Sequence, residues 1–98
     1  MAKKESKKTR ESQYAEILSK RGVALAACSV LGFRFPDDIH AHGFHYDLMN
    51  AHVEYLLFDS MADGTAIVVI LRDAEKADRI RAIAEQAGGT GYTPNLKQ

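Results

Sequence analysis

The apolar positions of this chain change period along its length, and each change marks the edge of an element. Between Glu11 and Lys20, Tyr14, Ile17 and Leu18 recur at the spacing of one helical face, with Thr9 or Ser12 available as the cap. Arg21-Gly22 interrupts that pattern and predicts the helix stop. From Val23 to Phe35 no charge intervenes before Arg34, and Val30, Leu31, Phe33 and Phe35 favour a buried strand. A competing pattern exists here, because Tyr14, Leu18, Leu25 and Cys28 would extend one long helical stripe; the stop at Gly22 followed by a strand is the reading adopted. Pro36-Asp37-Asp38 carries turn chemistry and biases Phe35 towards extended backbone. Residues 39–44, with Gly43 and histidines among small residues, then read as a loop or short edge segment.

Asp47 is placed as the N-cap of a helix running through Met61, since Met49, Val53, Leu56, Leu57 and Met61 share one face. Asp63-Gly64 marks a turn, and Thr65 to Leu71 (TAIVVIL) is continuous and β-branched, as a strand covered on both faces would be. Asp73 caps a second amphipathic helix, Ala74 to Ala87, whose Ala77, Ile80, Ile83, Ala84 and Ala87 face inward until Gly88-Gly89 ends it. Gly91, Pro94 and Asn95 make the tail a loop or a single edge segment.

The predicted class is therefore a small mixed α/β domain in the order helix, strand, loop, helix, strand, helix. Its strand–helix–strand portion is expected to close as a right-handed crossover between parallel strands. Two strands do not make a stable sheet, and TAIVVIL is too apolar to leave at a bare edge. Either the tail or a second copy of the chain must supply more strands, and a homodimer is the expectation. The segment TAIVVILRDAEKADRIRAIAEQAGG looks like the strand-then-helix units of small α/β and ferredoxin-like domains. That likeness is architectural and implies no activity.

Composition narrows the picture without redirecting it. Ninety-eight residues, 46% hydrophobic and 27% charged, suit one domain, taken as residues 11–98 behind an arm of residues 1–10. A chain of this size buries only roughly 60–65% of its unfolded surface, which adds to the argument for a dimer. The longest apolar runs fall short of the roughly 20 residues a membrane-spanning helix needs. The opening MAKKESKKTR lacks the apolar stretch of a secretory signal, so no membrane partner and a cytoplasmic location are expected. Cys28 is the only cysteine, which rules out an intrachain disulfide and any zinc site with two sulfur ligands from one chain. Net charge is zero, yet Lys3, Lys4, Lys7, Lys8 and Arg10 oppose only Glu5, so the first ten residues carry +4 and the remainder −4. A basic arm of this kind can meet a protein partner's acids or nucleic-acid phosphates, although phosphate contacts position without specifying sequence.

The candidate chemistry centres on histidine. All four histidines, His40, His42, His45 and His52, lie within thirteen residues, with Asp37, Asp38 and Asp47 nearby. If residues 39–44 are extended, His40 and His42 project to the same side, and His45 could complete a site for zinc, nickel or copper. A bland account instead sets His52 on a helix flank and leaves the others on an exposed loop. Ser60, Thr65 and Cys28 carry no nucleophile signature, and Gly88-Gly89-Thr90-Gly91 closes a helix where a phosphate cradle would open one. No catalytic constellation emerges. The reading that remains is a non-enzymatic interaction or regulatory protein, an accessory factor or inhibitor acting through protein–protein contacts. Metal binding by the histidine cluster and nucleic-acid binding by the arm are the alternatives.

Overall fold

The computed structural model describes residues 9–61 and 64–97. Contacts divide the chain into two compact units, one containing residues 9–27 with 95–97 and the other Cys28–Pro94. In the first unit, helix α1 spans Arg10–Ser19 and buries Tyr14 and Leu18. Thr9 caps it by accepting the Ser12 N–H, which satisfies one of the free amides of the first turn. Gly22 ends it at φ +75°: its N–H bonds to Ser19 O at 3.0 Å and that of Val23 to Leu18 O at 3.0 Å, the paired bonds of a Schellman stop. The tail joins this unit through Glu11 N–H to Leu96 O and the exposed Lys97–Glu11 ion pair.

The second unit contains the sheet. Strand β1 is Ser29–Arg34, helix α2 Asp38–Asn50, β2 Leu57–Ser60, β3 Ala66–Leu71, helix α3 Ala77–Gln86 and β4 Thr90–Gly91. The strands lie in the order β2-β3-β1-β4, every neighbouring pair antiparallel. Helices α2 and α3 share one core with the sheet. Ala41, Phe44 and Leu48 of α2 and Ala77, Ile80 and Ala84 of α3 cluster with Leu31, Phe33, Ile67, Val69 and Leu71. Every residue of β3 is buried, including Ala66, Val68 and Ile70, whose side chains alternate with the core-facing ones. The continuous apolar run of β3 is thus matched by burial on both faces.

Three expectations are corrected. Residues 39–44 are helical, because Asp37 caps a helix that begins at Asp38. The helix expected from Asp47 to Met61 does not exist: α2 stops at Asn50, His52 turns the chain at φ +56°, and Leu57–Ser60 is extended against β3. β1 and β3 are consequently antiparallel, since β2 inserts one more reversal between them; it is β1 and β2 that run parallel, with β3 between. The two extra strands come from within the chain, β2 from the misread helix and β4 from the tail.

The tail leaves the sheet at a glycine. A Cβ on Gly32 would collide with the Tyr92 carbonyl oxygen and the Pro94 ring. Arg34 also holds the Tyr92 ring, its guanidinium 4.7 Å from the centroid. Gly43, in the middle of α2, has no atom within 4 Å of the same position. The two glycines therefore predict opposite results: Gly32→Ala lowers stability by about 1–3 kcal/mol through overpacking. Gly43→Ala raises it by roughly 0.5–1 kcal/mol, because nothing opposes the gain in helix propensity. Urea denaturation of the two variants checks both signs. Phe44→Ala, at a fully buried ring, costs about 3–5 kcal/mol on the same scale.

Candidate functional site

Helix α2 carries three of the four histidines, and its cap sets where each one stands. Asp37 Oδ1 accepts the backbone N–H of His40 at 2.8 Å and lies 2.7 Å from the His40 ring Nδ1. The ring also packs beside Gly88, where an added Cβ would come within 3.2 Å of His40 Cδ2. His40 is therefore engaged at the cap and beside the end of α3. His42, two positions on, is turned about 200° around the helix and is exposed. His45 lies flat on Phe58 of β2, ring centroids 4.1 Å apart at 17°. His52 stands beyond the helix in the left-handed turn.

The extended geometry that would have aimed His40 and His42 at one ion is thus replaced by a helical one that separates them. Among the described residues no group of three histidine, cysteine, aspartate or glutamate side chains is placed to hold a metal ion. His42 and His45 do share a cleft of about 550 Å³ between α2 and the β2–β3 pair, with Asp38, Phe58, Ser60 and Ile67. Cys28 is partly buried.

Of the basic candidates only Arg10 falls among the described residues. Lys3, Lys4, Lys7 and Lys8 lie outside the described residues, and Arg10 is the first residue of α1. On and before α3, Arg81 pairs with Asp78 at 2.8 Å, Lys76 with Glu54 at 3.5 Å, and Arg79 reaches the Ala51 carbonyl at 3.4 Å. These cations serve local contacts, the last two tying α3 to the segment after α2. A second cleft, about 720 Å³, runs between β1 and α3 and is lined by Val30, Gly32, Arg81, Glu85 and Tyr92 among others.

The surface that reading the sequence missed is the outer face of α2. Ile39, Tyr46 and Met49 are 75%, 63% and 51% exposed. They fall at i, i+7 and i+10, along the side of the helix opposite or flanking the buried Ala41, Phe44 and Leu48. His42 and Gly43 lie between them, and the one charged residue between Ile39 and Met49, the exposed Asp47, is turned about 100° around the helix from Tyr46. Its spacing was visible in the sequence, but placing Ile39 in a loop and starting a helix at Asp47 split it in two.

The cap predicts a pH dependence. Hydrogen bonds from the His40 ring, and then from its backbone N–H, hold the Asp37 carboxyl below the ordinary carboxylate range. A carboxyl depressed in the folded chain contributes stability that is complete above its unfolded pKa, about 3.9, and is lost as pH falls through the lower folded value. Melting temperatures measured below about pH 5 should therefore fall more steeply for the wild type than for Asp37→Asn. Parallel curves would show that the cap carries no such linkage.

No protein-family model matches this chain, and no curated protein or solved structure is detectably similar to it.

Proposed function

We propose that this chain is a non-enzymatic interaction domain of ferredoxin-like architecture, that it works as a homodimer, and that it engages protein through the outer face of α2. The architectural part is supported by the succession β1-α2-β2-β3-α3-β4, with both helices on one face of an antiparallel sheet ordered 2-3-1-4. The functional part is carried by one observation, the exposed stripe of Ile39, Tyr46 and Met49. Single exposed apolar residues are ordinary; three large ones aligned on one helix, with Asp47 turned off their line, form a patch of the kind that marks a contact surface. Tyr is also enriched where partners are bound most tightly, because it offers a large rigid ring with a polar tip.

The helix is built to present this stripe. Phe44 and Leu48 are fully buried, the Asp37 cap fixes its start, and His45 anchors one flank on Phe58, so the outer residues stand on a supported element. A site placed on a rigid helix costs little ordering on binding.

The reading is tested by replacing the three residues together, Ile39→Ser, Tyr46→Ser and Met49→Gln, which leaves the core untouched. Affinity capture from source cells, followed by titration of the captured protein, is expected to show binding weakened at least about tenfold in the variant. A variant with an unchanged melting temperature and unchanged affinity for that protein would contradict the reading.

A further inference from the structure

Gly43 stands in the middle of α2, on the side turned from the core. At about 100° per residue, Ile39, Gly43, Tyr46 and Asn50 fall within about 60° of one another around the helix, while Ala41, Phe44 and Leu48 point the opposite way. A glycine inside a helix weakens it, and apart from the helix backbone and the chain neighbours no atom comes within 4 Å of the Cβ that Gly43 lacks. Nothing within one copy calls for glycine at this point. A helix crossed by another helix does call for one, because the side chains at the crossing set how closely the two axes approach, typically about 8–10 Å.

We infer that a second copy of this chain covers the outer face of α2, the two helices packing antiparallel across a two-fold axis that passes by Gly43. The inference rests on the homodimer and the α2 surface of the proposed function, and names what occupies that surface. A two-fold contact must match itself, each residue meeting on the partner the residue that meets it in return. With the axis at Gly43, residues equally far before and after it come level across the contact. Tyr46 then lies next to the partner's Ile39, on the same stripe, so each exposed ring covers an exposed aliphatic side chain and does so twice.

The polar residues select the same register. Asp47 and His40 share one flank of α2, both turned about 80–100° from Ile39, and in an antiparallel pair like flank meets like flank. Asp47 comes within one residue of the partner's His40, which sets the carboxylate of each copy against the imidazole of the other. Asp47 is exposed and forms no ion pair among the described residues, and His40, already oriented by Asp37 through Nδ1, is half-exposed. Moving the axis one turn along, to Asp47, would instead bring the two carboxylates level on one flank, and like charges so placed oppose association. The small residue at the crossing, the apolar pair and the polar pair therefore agree on one arrangement.

Gly43→Lys tests this surface. Within one copy the new side chain has open space and a better helix propensity than glycine, whereas at the crossing it sets two long like-charged groups together. Sedimentation at micromolar concentration is expected to give a dimer for the wild type and a monomer for Gly43→Lys, with the melting curve of the variant monitoring its fold. A monomeric wild type would overturn the homodimer and this inference together; the α2 surface of the proposed function would still stand if the variant with Ile39→Ser, Tyr46→Ser and Met49→Gln lost its hold on a different captured protein. A folded Gly43→Lys that remains dimeric would overturn the α2 contact and leave a homodimer through another face. If Gly43→Lys does not fold, cross-linking in a Cys28→Ala background decides the matter. Gly43→Cys places two thiols beside the axis, within disulfide reach, and should join the copies on oxidation, whereas Met49→Cys places them several turns apart and should not. No cross-link at 43, or equal cross-linking at 43 and 49, would overturn the axis at Gly43.

Discussion

The seating of Phe44 governs what this molecule displays. Its ring is fully buried, edge-on to Phe33 at 5.4 Å, stacked with Phe35 at 5.2 Å and 6.1 Å from Phe58. It thereby touches β1, the residue following β1, and β2 at once. Successive residues of a helix are about 100° apart, so fixing one side chain fixes the azimuth of all the others. With Phe44 inward, Ile39 and Tyr46 face away from the sheet, His45 falls over Phe58, and His40 returns to the cap. Each feature discussed as a candidate site follows from that rotation.

How much of this was legible in the sequence depended on whether local pattern and burial agreed. They agreed for α1, β3 and α3. Thr9 and Gly22 bracket a short helix, Ala66–Leu71 is buried throughout, and Ala77, Ile80, Ile83 and Ala84 meet the core from a helix whose other face is charged. They disagreed from residue 37 to residue 61. Helix α2 has apolar side chains on both faces, which blurs the helical period, and Gly43 lowers its propensity. Downstream, Met49, Val53, Leu56 and Leu57 happen to fit a helical stripe, whereas Leu57–Ser60 is held extended by β3. Tertiary pairing overrode local spacing, as it commonly does in short apolar runs.

The misreading and the candidate site share one cause. A helix with a second apolar face is hard to identify from periodicity, and here that face is exposed among the described residues of its unit. The same exposure makes Ile39, Tyr46 and Met49 informative about function. The histidine cluster, conspicuous in sequence, is divided by the helix among a cap, a cleft and a stacked ring. Proximity along a chain becomes proximity at a site only when the backbone period allows it, and here the period changed from about two to about 3.6 residues.

The central claim is the rotation of α2, and chemical accessibility along the helix measures it most directly. Single cysteines at residues 39, 41, 46, 48 and 49 in a Cys28→Ala background can be labelled with a thiol reagent under native conditions. The account predicts fast labelling at 39, 46 and 49 and strong protection at 41 and 48. Uniform labelling, or protection alternating every second residue, would contradict it.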